Sequence, residues 1–409
     1  MDWKKRVVLF LGGQTITLFG SMLVQFAISW HITLTTQSGM LLAISVVCGF
    51  LPQMFISLFA GVWADRYSRK AMIIIADGSI ALCTAVLALA FSFGYTELWL
   101  LFVISVVRSL GSGVQTPAVG AFLPEFVPQD RLMRVNGINA GIMGIMMVIS
   151  PVLAGGLYEM LGIGSIFWVD VITAVIGIGL LIVLKTMPRE KTANAAQSII
   201  SDMASGLRYV IRTRWLRQFF GFYLFYSLMF GPVVFLTPLM VARSFGDEPW
   251  RLVVHEMVFA IGNALGGLLI GMISRRVRNC IHLLIGATLA FGFTTFVMGF
   301  SPNFWFYLGV MLPMGLTMPF INTCSMTVLQ TRADAQMMGR VFGLTSIIMS
   351  TTMPLSMAIF GPLADFMSVE IQLVITGMIM VLLSVLMFRF KEVVAMGEPV
   401  ADPIEEVME

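Results

Sequence analysis

Five ionisable side chains interrupt long apolar runs of this chain: Asp77, Arg108, Asp170, His255 and Glu256. At the centre of a bilayer each costs roughly 2.5–3.5 kcal/mol or more unless it faces a cavity or a partner. Such groups are therefore expected to hold ligands or move ions. Arg108 lies deepest, near the middle of its run, where it either tunes a proton carrier or holds an anionic group of a ligand. Asp77 lies nearer the inner third and serves equally well as the structural partner of a neighbouring helix. Asp170 and Glu256 lie toward the outer half, where a carboxylate is placed to exchange protons with the outer solution. His255 and Glu256 are adjacent, so on a helix at most one points into a given cavity. Other chemistry finds no support. His31, His255 and His282 are scattered with no HExxH pattern, and no G-x-x-x-x-G-K-[ST] phosphate loop occurs. No metal, no cofactor and no enzymatic reaction are expected.

The elements that position these groups are membrane-spanning helices. Of 409 residues, 58% are hydrophobic and 11% charged, with a mean hydropathy of +0.91; soluble domains carry about 25% charged residues. The apolar residues fall into blocks of about 20 or more, enough to span ~30 Å of hydrocarbon. Twelve spans are predicted at 7–34, 40–62, 71–93, 98–123, 135–158, 163–184, 217–242, 251–273, 280–300, 303–328, 340–361 and 371–388. The fold class is thus all-α and polytopic. The first run is too long for a signal peptide and lacks a small-residue cleavage site, so it reads as a retained helix. Cys48, Cys83, Cys280 and Cys324 fall within or at the ends of spans without CxxC spacing and read as small core hydrophobes.

Between spans two and three lies a knot of charge, Gly61-Val-Trp-Ala-Asp65-Arg66-Tyr67-Ser68-Arg69-Lys70. Short loops rich in Lys and Arg stay on the cytoplasmic side. With this turn inside, nearly every other cation of the turns falls inside too, while Arg243 and Arg251 face out. The net charge of +3 therefore orients the protein and touches anionic lipid headgroups rather than nucleic acid. Twelve crossings place both termini in the cytoplasm of a cell whose inner (plasma) membrane holds the chain. Asp65 is expected to face the positive end of span eleven near Gly339 and Arg340. Arg69 is expected to pair with Asp65 and with Glu125, forming with Gly61 and Arg66 an inner gate.

The long break Lys185–Arg214 divides the chain. Inside it Ser201-Asp202 reads as a helix start, and Met203, Leu207, Val210 and Ile211 form an apolar stripe opposite Arg208 and Arg212, either a helix on the membrane surface or a plain linker. The halves repeat: Gly61-x3-Asp65-Arg66-x2-Arg69 returns as Gly271-x3-Arg275-Arg276-x-Arg278, Gly113-x3-Pro117 as Gly315-x3-Pro319, and Arg134-Val-Asn-Gly137 as Arg340-Val-Phe-Gly343, at offsets of 202–210 residues. The expected organisation is an N-terminal six-helix bundle (1–187), a linker (188–214), a C-terminal six-helix bundle (215–391) and a disordered acidic tail (392–409). Two homologous bundles around a midplane cavity are the plan of alternating access.

The pattern G-x-x-x-D-R-x-x-R-K at Gly61–Lys70 resembles the loop between helices two and three of the major facilitator superfamily of transporters. Arg108-Ser-Leu-Gly111-Ser-Gly113 resembles that family's R-x-x-x-G-x-G element, one residue shorter. Ser150-Pro151-Val-Leu-Ala154-Gly155-Gly156 resembles the G-P-x-x-G-G motif of its proton-coupled antiporters, with Ser150 and Ala154 in place of glycines. Gly49-Phe-Leu-Pro52, Ala76-Asp77, Thr116-Pro117-Ala118 and Asp170 add a likeness to the macrolide-efflux and siderophore-exporter branch. The resemblance implies two pseudo-symmetric six-helix bundles and export coupled to proton entry. One departure stands out: the first span carries no carboxylate, only Gln14 and Gln25.

The ligand chamber is expected to be apolar and adaptable, since the chain holds 32 Met and 32 Phe. Candidates for its lining are Gln25, Gln115, Asn139, Met143, Tyr226 and Met314, the amides serving either substrate or helix pairing. The favoured reading is a monomeric secondary exporter of a lipophilic or amphipathic small molecule, macrolide-like, with protons and membrane lipids as further partners. An importer or a lysophospholipid flippase on the same fold is the alternative within transport; a non-transporting membrane receptor is the alternative outside it.

Overall fold

The computed structural model describes residues 3–184, 199–273, 277, 279–334 and 337–398. These are helical throughout, with no strand among the described residues. The N-terminal half comprises α1 (Trp3–Thr36), α2 (Gly39–Arg66), α3 (Arg69–Ser92), α4 (Leu98–Phe122), α5 (Gln129–Leu161) and α6 (Ile163–Val183), with a 3₁₀ turn at Leu123–Glu125. A short helix, α7 (Ile199–Arg212), precedes α8 (Arg214–Phe235) and α9 (Thr237–Met240). The C-terminal half continues with α10 (Pro249–Ile273), α11 (Cys280–Met298), α12 (Phe304–Arg332), α13 (Met338–Phe366), α14 (Val369–Met387) and α15 (Lys391–Ala395). Twelve spans long and apolar enough to cross a membrane result, and the chain is an all-α multi-pass membrane protein.

Polar side chains at the span boundaries start the helices. Ser38, Ser68, Asn279, Asn303 and Ser368 each accept from backbone N–H groups of the first turn they precede. At the α5–α6 junction Gly162 takes φ +74°, and Gly94 takes φ +85° after α3; a side chain at either would be strained.

Lipid tails are as apolar as leucine, so helices join where small residues let backbones approach. In the N-terminal half, Gly13 of α1 lies against Gly177 of α6, Gly111 of α4 against Ile80 of α3, and Gly113 of α4 against Gln53 of α2. In the C-terminal half, Gly262 and Gly266 of α10 meet the backbone of α12 at Leu312 and Leu316, while Gly292 of α11 and Gly377 of α14 interlock. By packing, one compact unit comprises Met1–Ala193, Pro238–Met257 and Met357–Phe366; a second comprises Asn194–Thr237, Val258–Ser356 and Met367–Glu409. In the first, Phe10, Phe122 and Phe126 stack edge-on around 5.3–5.5 Å beneath Ala64, Met72 and Val135. In the second, Phe222, Tyr226 and Phe230 pack with Phe291.

The seventh span runs Arg214–Phe245, covering the predicted 217–242, and is interrupted within: α8 ends at Phe235, and α9 and a π turn at Val241–Phe245 follow. Pro238, just past the interruption, has no N–H to donate to the turn before it. Two expectations are corrected. Ser201-Asp202 does not start a helix but lies within α7. The tail is ordered beyond Lys391: α15 buries Val393 completely, Asn279 Nδ2 donates to Val394 O (3.0 Å), and Arg332 donates to the carbonyls of Met396 and Glu398. The remaining tail, residues 185–198 of the break and the repeat cations Arg275, Arg276 and Arg278 lie outside the described residues.

Candidate functional site: a buried polar network in the N-terminal half

Asp170 of α6 is completely buried and Arg108 of α4 is 8% exposed; the two form an ion pair. Arg108 also donates to Thr84 Oγ1 of α3 and, at 3.4 Å, to the Ser21 carbonyl of α1. The Ser21 hydroxyl donates to the other Asp170 oxygen at 3.3 Å. Four helices thus meet on one guanidinium–carboxylate pair. Gly20 makes the approach possible: a Cβ there would sit 2.9 Å from the Asp170 Cα and 2.0 Å from Thr173 Oγ1. Ser21, Thr84 and Gly20 were not singled out from the sequence, because Ser, Thr and Gly are ordinary in spans; only their spatial convergence marks them.

About two turns along α4 toward the Gly61–Lys70 end, Gln115 Nε2 donates to Asp77 Oδ1 at 2.6 Å and reaches Gln14 Oε1 at 3.5 Å. Asp77 is 1% exposed. Its second oxygen, Oδ2, is buried with no hydrogen-bond partner among the described residues. The two buried carboxyls are therefore held differently: Asp170 by a cation, Asp77 by a neutral amide.

The other singled-out residues are distributed as follows. Arg69 pairs with Glu125 at 3.0 Å and donates to the carbonyls of Ala64 and Ala121, tying the ends of α2, α3 and α4 together. Gly61 and Arg66 lie exposed at the end of α2, while the side chain of Asp65 lies outside those described. Gly339 and Arg340 begin α13, where Arg340 lies against Gly206 of α7. Ser150 and Pro151 are buried in α5, the Ser150 hydroxyl donating to Met22 Sδ at 3.8 Å. Gly155 is closely approached by Val253 of α10 and Trp30 of α1, while Gly156 is exposed. His255 is 3% exposed, and Glu256 beside it is half-buried.

Of the lining candidates, Gln25 and Met143 are exposed and Asn139 is half-buried. Tyr226 and Met314 are buried in the second unit; the Tyr226 hydroxyl has no partner among the described residues, and Met314 Sδ accepts from Thr295 at 3.9 Å. Among the described residues no cluster of His, Cys, Asp and Glu has the geometry to hold a metal ion.

Known proteins agree with this architecture. The chain is similar to macrolide efflux protein A of Streptococcus pyogenes, 27% identical over 96% of this chain and 97% of that one. It is similar also to the multidrug efflux pump Tap of Mycobacterium bovis, 25% identical over 82% of this chain and 83% of that one. In structure it resembles a bacterial homologue of the iron transporter ferroportin in an inward-facing state, with a TM-score of 0.72 and 16% identity, covering 94% of this chain and 99% of that one. The model of the Major Facilitator Superfamily matches residues 10–357, and this chain of twelve apolar spans belongs to that superfamily of membrane transporters.

Proposed function

We propose that this transporter exports a lipophilic or amphipathic small molecule of macrolide type by alternating access, driven by proton entry, with Asp77 as the group that carries the proton. The observation that carries the reading is the unequal holding of two buried carboxyls. Arg108 compensates the charge of Asp170, so that pair is a strut. Among the described residues Asp77 has one neutral donor, an oxygen without a partner and no cation to offset the burial of an ionised carboxylate. It is the carboxyl placed to take up and release a proton as its surroundings change. The likeness to efflux proteins over nearly the whole chain supports the direction and the substrate class. Both termini lie in the cytoplasm in this reading, and the protein works as a monomer in the inner (plasma) membrane.

The test is drug accumulation in cells with and without the protein, using macrolides, dyes and siderophores, repeated after collapse of the proton gradient. Cells expressing the protein should hold several-fold less macrolide, and the difference should vanish with the gradient. Asp77→Asn should abolish gradient-driven export while the purified variant still binds the drug. Unchanged export by that variant would remove Asp77 from the coupling; unchanged accumulation of every compound would remove the efflux reading.

The inner-gate assignment of Asp65 belongs to the same proposal, supported by the Arg69–Glu125 pair that orders the turn beside it. Asp65→Asn should make a reporter cysteine lining the inner mouth react faster with a membrane-impermeant thiol reagent. Identical labelling rates and transport would dismiss the gate.

A further inference from the structure

The ends of α1 and α5 on the Gly61–Lys70 side enclose a cavity of about 730 Å³ that the transport reading does not use. Its lining joins two chemistries. Lys4, Arg131 and Arg134, all exposed, supply three cations from two helices, and Trp3 stands half-buried beside them. No residue lining it among those described is acidic. Below the cations the wall turns apolar: Val7 and Val135 are buried against the Phe10–Phe122 core, whereas Val8 is 70% and Ile138 49% exposed. The apolar wall therefore continues onto an apolar outer surface.

A free inorganic anion would use the cations and leave that wall idle. A ligand with a phosphate at one end and hydrocarbon at the other uses both, and such molecules form the leaflet at this level of the bilayer. Tryptophan at the boundary fits the same geometry, since its ring settles at headgroup depth. We infer that this cavity binds the headgroup phosphate of an anionic phospholipid, with its acyl chains lying along Val8 and Ile138. The site is independent of what the protein transports and of which leaflet lies at this end.

The test uses the full-length protein in a neutral detergent, titrated separately with short-chain phosphatidylglycerol, phosphatidylcholine and inorganic phosphate. Native mass spectrometry counts bound lipid, and thermal unfolding reports stabilisation. Phosphatidylglycerol should bind and stabilise, with phosphatidylcholine about tenfold weaker. A surface cation contributes on the order of fivefold in affinity for an anionic headgroup, so Lys4→Gln and Arg134→Gln should each weaken binding a few-fold. The triple variant with Arg131→Gln should weaken it tenfold or more. Arg389→Gln with Lys391→Gln, exposed cations elsewhere, should leave it unchanged. The site is refuted if the variants bind phosphatidylglycerol like the parent, if phosphatidylcholine binds as well, or if inorganic phosphate competes as strongly as the lipid. Because the single substitutions fall on exposed side chains, they read the site even should the triple variant fail to fold.

Discussion

Arg108 shows how much of a site is decided by what surrounds one side chain. As a letter in an apolar run it is an anomaly that invites a ligand or a proton. In the folded chain it spends its donors on Asp170, Thr84 and the Ser21 carbonyl. Removing one partner of a buried pair leaves the other charge uncompensated, which costs about 3–5 kcal/mol, whereas replacing both by apolar groups is often neutral. Asp170→Asn should therefore lower the melting temperature of the purified protein strongly, and Arg108→Met with Asp170→Leu should recover most of the loss. A single variant melting with the parent would show that the pair is no strut. Both residues were legible in the sequence as buried charges. Their pairing was not, because it depends on how α4 and α6 are rotated about their axes. Asp77 was legible as one of several carboxyls; that its Oδ2 has no partner among the described residues appears only once Gln14 and Gln115 are in place.

Among elements, α2 illustrates a helix whose start is secured from afar. Ser38 caps it locally, and Asp365 of α13 accepts from the Ser38 hydroxyl and from the backbone N–H groups of Gly39 and Met40 at 2.7–3.0 Å. A carboxylate at a helix N-terminus also meets the positive end of the helix dipole. Arg243, in the π turn, donates to Asp365 and to the carbonyls of Gln37 and Ala364. Gly39 and Gly361 permit this closeness, since a Cβ on Gly39 would stand 2.3 Å from the Gly361 carbonyl oxygen. Loss of a helix cap typically costs about 1 kcal/mol, so Asp365→Ala should destabilise the protein by at least that and speed thiol labelling of a cysteine placed at Gln37. Equal labelling in both backgrounds would mean that the clasp does not hold this end. Nothing in the sequence pointed to Asp365: it reads as an ordinary loop carboxylate, and its partners Ser38, Gly39 and Met40 precede it by more than 300 residues, Arg243 by 122.

For the whole molecule, orientation is the property most open to a direct check. Tyr67 and Tyr95 are 66% and 67% exposed at opposite ends of α3. With the charged turn in the cytoplasm, a cysteine at Tyr67 should react with an impermeant thiol reagent only after the cells are opened, and one at Tyr95 in intact cells. The reverse pattern would invert the topology and with it the proposed direction of proton flow.

Span number and helical class were readable from the chain, because a bilayer imposes its thickness and its intolerance of charge on every crossing segment, one at a time; the superfamily was legible through the resemblance carried by Gly61–Lys70 and its companion motifs. The caps Ser68, Asn279 and Ser368, each acting on the turn that follows it, emerged only with the structure. Tertiary structure alone decided which charges meet and that Asp77, among the described residues, is held by an amide rather than a cation. It also docked α15 through Asn279 and Arg332, where composition favours a loose tail. Those outcomes depend on helix rotation and on glycine seams measured in tenths of an ångström, contacts between residues tens to hundreds of positions apart that no local pattern records.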